Sequence, residues 1–315
     1  MVPGVSAWSL AVARLTGLLA CVAMATARFG LVLHELVGHG GAALAMGGQI
    51  LEVRLFWFAG GWIRYDLHEP SVAAMVIVSM GGIAIELVLG TILWFVVTGD
   101  ALGRRIARTI GAALVVHAGW YFATGTWHGY GDGALIYQVL GDARYPAAIA
   151  AGLVTCGAAF VGARWLFATV VASIGPTRRV AGIAIAVVVA GSVNLALDLG
   201  ELAIRQDSMY GATMAPERDR VIARDYAHWL DEARRTGATI DDAARERELH
   251  RLDRDNRTFP FAWLLAAAVA LSAVAGAWRS RTPSARPDLT GRLVARAAVI
   301  AVASIALVIA LDAVV

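Results

Sequence analysis

The sequence predicts an all-α polytopic membrane protein of about seven transmembrane helices, with a small membrane-associated β-hairpin and an extramembrane helical hairpin. Three observations predict this class. The 315 residues are 58% hydrophobic and 16% charged, with a mean hydropathy of +0.64. A soluble domain of this length carries more charge on its surface. Apolar runs of about 20 residues, each long enough to cross a bilayer, follow one another along the chain. Finally, 23 of the 51 charged side chains fall within residues 204–258, which leaves the remainder apolar enough for lipid. No short apolar segment with a small-residue cleavage site stands apart near residue 1, so no removable signal peptide is expected.

The expected spans are 8–46, 70–98, 106–124, 146–173, 181–203, 259–278 and 293–314. At about 1.5 Å per residue the first is longer than a hydrocarbon core of about 30 Å requires. Arg28 and Gly30 mark a place where it could break into two helices. Arg104, Arg105 and Arg108 share one loop, Arg178 and Arg179 a second, and Arg279, Arg281, Arg286 and Arg292 flank a third. The span count puts all three on one side, which the positive-inside rule makes cytoplasmic. Segments 47–69, 125–145 and 204–258 then face the opposite side. The basic residues are all Arg, with no Lys, as in a GC-rich bacterial genome, so a multi-pass protein of the bacterial inner membrane is expected.

Segment 48–68, GQILEVRLFWFAGGWIRYDLH, alternates and is rich in β-branched and aromatic residues around Gly60-Gly61, the pattern of a β-hairpin. Its edges must lie at the interface or against protein. Segment 204–258 holds 11 Arg and 12 acidic residues. Pro216-Glu217 and Gly237 bound one helix there, and Thr239 with Asp241-Asp242 opens the next. The pattern is that of a solvated helical hairpin or of a cap that screens substrates. The chain thus divides into a membrane core, 1–203, a charged extramembrane loop, 204–258, and a C-terminal transmembrane hairpin, 259–315. Cys21 and Cys156 lie in apolar segments and read as small core residues. The scattered basic residues and net charge of +3 exclude a nucleic-acid surface.

Ionisable residues within spans cost about 2.5–3.5 kcal/mol each on insertion scales and mark functional positions. His34, Glu35 and His39 cluster in HELVGH. In the zinc motif HExxH two histidines four apart bind the metal and the glutamate is the general base. Here the histidines are five apart. In an α-helix they would diverge by about 140°. A π-turn, at about 82° per residue, brings them within about 50°. The spacing therefore predicts a π-bulge or local unwinding between His34 and His39. Asp132, in HGYGDG, is the candidate third ligand, with Gly125, Gly129 and Gly131 letting the backbone turn the carboxylate inward. Each feature has a plainer reading: His34 and Glu35 as interfacial residues before Gly38 and Gly40, and Gly-Asp-Gly as a turn. His117 and His128 read as hydrogen-bonded packing residues, with His128, close to Asp132, a candidate accessory. Glu86 is the other accessory candidate, a buried partner for Arg14 or Arg28, or a proton relay.

HELVGH on an apolar helix, the hairpin GGQILEVRLFWFAGGWIRY, the span SMGGIAIELVLG and GDG after a further span stand in the order found in the site-2 protease family of intramembrane zinc metalloproteases, which residues 25–140 resemble. The chain departs in having HExxxH for HExxH and HGYG before the aspartate, and in lacking a glycine-proline-asparagine signature. The resemblance implies Zn2+ bound by His34, His39 and Asp132, with Glu35 as catalytic base. It implies a membrane-anchored protein as substrate. Two other readings compete with it: a non-catalytic metal-binding, chaperone or transport protein on the same scaffold, and a membrane oxygenase with an iron site, for which the membrane core offers too few histidines.

Overall fold

The computed structural model describes residues 7–98, 102–174, 178–236, 238, 240–279 and 289–314. Twelve α-helices, one π-helical segment, a short 3-10 turn and one two-stranded sheet make up these residues. Seven helical stretches are long and apolar enough to span a membrane: Ala7–Ala45, Val72–Val96, Ile106–His128, Gly133–Phe167, Arg179–Arg205, Phe261–Trp278 and Gly291–Val314. The chain is an all-α polytopic membrane protein with a small antiparallel sheet. Gly237, Thr239, Arg281 and Arg286, used above to mark boundaries, lie outside the described residues.

The first stretch does not break at Arg28 and Gly30. Helix α1 (Ala7–Val32) runs through both, continues as the π-helical segment Leu33–Gly40, and ends in α2 (Gly41–Ala45). Arg28 needs no break because both of its Nη atoms find carbonyl partners where it lies, with Nε alone unpartnered. Its Nη1 donates to the carbonyls of Phe56 (2.7 Å) and Ala59 (2.6 Å), and its Nη2 to that of Phe58 (2.8 Å). Gly30 sits against Leu114 and Glu86, which a Cβ there would meet at ordinary van der Waals distance.

Strands β1 (Gln49–Leu55) and β2 (Gly61–Asp66) pair antiparallel, as the alternation predicts, with an irregularity between Ile50 and Glu52. Their connecting turn, with Phe56 and Ala59 buried and Trp57 exposed, is held by two charged side chains. Arg28 takes its carbonyls, while Glu201 accepts from the amides of Trp57 (2.7 Å), Phe58 (2.5 Å) and Ala59 (3.0 Å). Arg205 bridges Glu201 (2.8 Å) and Asp312 (3.2 Å), and Asp312 Oδ1 accepts from the Leu55 amide (3.0 Å). The hairpin is thus fastened to α1, to α7 (Arg179–Arg205) and to α12 (Gly291–Val314), whose helices also pack on α1.

Helix α3 (Val72–Val96) begins at Ser71, whose hydroxyl accepts from the Ala74 amide (3.1 Å). It packs between the π-helical segment and α4 (Leu102–His128). The next helical path starts earlier than expected. Short α5 (Gly133–Leu140) passes through a 3-10 turn, Gly141–Ala143, into α6 (Arg144–Ile174). Of the three glycines expected to unwind the chain, Gly125 remains helical and only Gly129 (φ +70°) and Gly131 (φ +52°) leave the helix.

Beyond α7 come α8 (Ser208–Met214), α9 (Glu217–Thr236) and α10 (Asp242–Asp255), then α11 (Phe261–Trp278). Asp207 and Asp241 cap α8 and α10, accepting from the amides of Tyr210 (2.8 Å) and Ala244 (2.7 Å).

Candidate metal centre

The spacing of HELVGH decides the local backbone. Residues Leu33–Gly40 are π-helical, and the i→i+5 pattern turns His34 and His39 to one side, their ring centroids 4.9 Å apart. The segment lies unusually close to α3. A Cβ on Gly38 would meet the backbone of Gly81 and Gly82, and one on Gly82 would overlap the His34 imidazole. Small residues at this crossing let two backbones approach and leave the space that His34 fills.

Asp132 arrives from the opposite wall. It occupies the N-cap position of α5, where a carboxylate commonly caps the first amides, yet its side chain makes no cap bond. The carboxylate points at the histidines instead, with Oδ2 2.9 Å from His34 Nε2 and Oδ1 3.2 Å from His39 Nε2. Its backbone carbonyl accepts from Ser79 Oγ (2.8 Å) on α3. The three donors lie within 4.8 Å of one another.

Of the opposite ring nitrogens, His39 Nδ1 has a hydrogen-bond partner and His34 Nδ1 has none. His39 Nδ1 is 2.7 Å from the Val78 carbonyl. A carbonyl only accepts, so His39 carries a proton on Nδ1. In the neutral ring the Nε2 lone pair then faces a carboxylate oxygen, an arrangement that requires either a second proton on the ring or a cation between the two. Asp132 Oδ2 is buried without a hydrogen-bond partner, its approach to His34 lacking hydrogen-bond alignment. Ligands about 2.0–2.1 Å from a tetrahedral zinc stand about 3.3 Å apart, close to the separations found. The donor set and the orphaned oxygen therefore fit a divalent metal.

Glu35 is buried beside these groups, near enough to His34, His39 and Asp132 to interact with each electrostatically. Glu86, 1% exposed, does not pair with Arg14 or Arg28. Its Oε1 lies 3.3 Å from His34 Nδ1 and its Oε2 accepts from His117 Nδ1 at 2.7 Å. Arg28 is taken up by the hairpin carbonyls, so the carboxylate is left to the imidazoles. His117, read from sequence as a hydrogen-bonded packing residue, is hydrogen-bonded to Glu86 but has an exposed side chain, and its ring stacks on Tyr121. His128, the other accessory candidate, is half-buried at the end of α4 and is not among the converging donors.

A cavity of about 390 Å3 opens beside Asp132, between β2 and the start of α3, lined by Tyr65, Leu67, Met75, Ser79, Gly131 and Leu135 among others. Burial, with the Asp132 charge adding to it, raises the Tyr65 phenol above its ordinary range, so it stays a hydrogen-bond donor at this cleft. Sequence reasoning missed Val78, whose contribution is a backbone carbonyl with no side-chain signal. It also missed the hydrogen bonds that the Thr213 carbonyl and the Arg220 guanidinium make with Gly131 and Gly129, beside Asp132. The sequence pointed to residues 204–258 by their charge, but did not indicate which of them reach the site. No family model, curated protein or solved structure matches this chain.

Proposed function

We propose that the protein is an intramembrane zinc metalloprotease of the site-2 protease type, hydrolysing peptide bonds of membrane-anchored proteins. The observation that carries this reading is the convergence of His34, His39 and Asp132, with Glu35 beside them, at the level of apolar helices. Two imidazoles and one carboxylate, with a fourth position left over, are the donor set of a catalytic rather than a structural zinc site. Zn2+ held there would supply Lewis acidity, lowering the pKa of a water to about 7 and polarising the scissile carbonyl.

The protein's residues have separable roles in this reading. His34 and His39 present Nε2; the Val78 carbonyl accepts from His39 Nδ1 and fixes that ring, while the Glu86 carboxylate lies 3.3 Å from His34 Nδ1 as a charge partner. The Glu35 carboxylate takes the proton from the attacking water and returns it to the leaving amine. Strand β2 pairs only with β1 among the described residues, so its second edge is open to an extended peptide, which would lie along the cleft beside Asp132. A transmembrane helix has its amides paired internally and must unwind to reach that edge. The reading places the protein in a bacterial inner membrane, with a membrane-anchored protein as its partner.

The test uses purified full-length protein and single-span reporter proteins co-expressed with it. One zinc per chain and release of soluble reporter fragments are expected. Glu35→Gln should retain the metal and release no fragment. Fragment release at the wild-type rate by Glu35→Gln would overturn the mechanism, and a wild-type protein that holds no metal would favour a non-catalytic role.

A further inference from the structure

The turn that carries Asp132 is weak by itself. Residues 129–133 contain three glycines, two with positive φ, and such a stretch has little intrinsic preference for one conformation. Two of its hydrogen-bonding groups are engaged from outside the membrane core. The Gly131 amide donates to the Thr213 carbonyl (2.8 Å), and the Gly129 carbonyl accepts from Arg220 Nη2 (2.5 Å). Arg220 is itself held, its Nε and Nη2 donating to Glu217 Oε2 (3.0 and 2.7 Å) and its Nη1 to the Ala215 carbonyl (3.0 Å). The Glu217 side chain lies against Gly129, and Tyr121 Oη, beside Gly131, donates to Met214 Sδ (3.6 Å).

The other end of the same segment grips the hairpin. Asp207 Oδ1 accepts from Trp62 Nε1 (3.2 Å) as well as from the Tyr210 amide. The Tyr210 ring stands edge-on to Phe56, its centroid 5.1 Å away, and fills the space beside Gly60. Burial pushes the Tyr210 phenol up to about 12, so it packs there as a neutral ring. Residues 207–220 therefore bridge the two walls of the centre, from the β-hairpin to the Asp132 turn.

We infer that residues 207–217, together with Arg220, are a positioning strap, in which Arg220 and the Thr213 carbonyl hold the Gly129–Gly131 turn so that Asp132 meets His34 and His39. Arg220 is a positioning residue that acts through the turn and touches neither metal nor substrate. A carboxylate misplaced by about an ångström is a poorer ligand, and supporting groups of this kind are worth about tenfold to a hundredfold in metal affinity. The first part of the charged loop thus supports the metal centre through the turn, without contributing a ligand. The inference rests on the metal-site reading, and the experiment separates the two.

The test compares full-length wild-type protein with Arg220→Ala, Arg220→Lys and Arg218→Ala in detergent. Arg218 ties α9 to the Asn256 carbonyl and to Asp253 and makes no contact with the turn, so it serves as the control. Three quantities are read: loss of bound zinc to a chelator, the visible spectrum of the Co2+-loaded protein, and hydrogen exchange of the peptide spanning residues 129–133. Arg220→Ala should release zinc about tenfold faster, change the Co2+ bands and raise exchange at 129–133. Arg220→Lys, which keeps one donor for the Gly129 carbonyl, should recover most of the difference, and Arg218→Ala should match wild type. Unchanged exchange in Arg220→Ala, or an equal effect from Arg218→Ala, would overturn the strap. A wild-type protein that binds neither ion would overturn the metal reading, and the exchange measurement would still decide the strap.

Discussion

His34 shows how closely the centre is built. Its ring occupies space that any side chain at position 82 would take. Gly82→Ala should therefore displace the imidazole and empty the metal site, with the helical content kept. Metal analysis alongside circular dichroism checks this, and full zinc occupancy in Gly82→Ala would contradict the packing account. Glu86 works from the other side of the ring, between His34 and His117. Glu86→Gln keeps the shape but removes the charge that steadies His34. We expect metal affinity to fall about tenfold, measured by competition with a chelator at constant pH. His117→Ala should have a smaller effect, since it removes one partner of Glu86 and an edge-on ring 6.4 Å from His34 but leaves the Glu86 charge in place.

The β-hairpin is an element whose stability comes from elsewhere. An isolated two-stranded hairpin is marginal in water, and in lipid its turn would leave amides and carbonyls unpaired. Arg28 and Glu201 satisfy six of those groups between them. Arg28→Met would leave three carbonyls without a donor, and each hydrogen bond to a charged group is worth about 1.5–3 kcal/mol. The thermal midpoint in detergent should fall by roughly 5–10 °C. A midpoint within a degree of wild type would show that water or another donor replaces the guanidinium. The π-helical segment is the other decisive element. One residue more than HExxH needs, it returns His39 to the side of His34 that a regular helix would deny it.

Across the whole molecule, the extramembrane region divides into a part that touches the centre and a part that does not. Excising residues 230–250 and closing the gap with a flexible linker removes the tip of the α9–α10 hairpin but leaves Tyr210, Thr213 and Arg220. Zinc should be retained. Excising 208–255 removes the strap, and zinc should be lost even if the membrane helices still assemble. Equal zinc content in both deletions would separate the loop from the metal centre. The orientation is open to a direct check. Ala243 is exposed on α10, and a cysteine there should react with a membrane-impermeant maleimide added outside intact cells. Cys21 and Cys156, half-buried in apolar helices, should react little.

The sequence by itself determined the membrane class, the hairpin and the starts of α9 and α10 at Pro216-Glu217 and Asp241-Asp242, because each rests on local periodicity, composition or turn chemistry. It also determined the π-turn, since the five-residue spacing of His34 and His39 is a local angular constraint, and it nominated Asp132 as their third companion. Only the tertiary structure decided whom Glu86 and Arg28 serve. A buried charge takes whichever complementary group the fold brings near, and for Arg28 these are backbone carbonyls with no mark in the sequence. The break expected at Arg28 and Gly30 failed for the same reason: a polar residue in an apolar run looks like an interruption until its partners are seen. The role of residues 207–220 was likewise hidden. Thr213 contributes only its carbonyl, and Arg220 is one of 11 arginines in its region, distinguished only by its reach to Gly129 across 91 positions of chain.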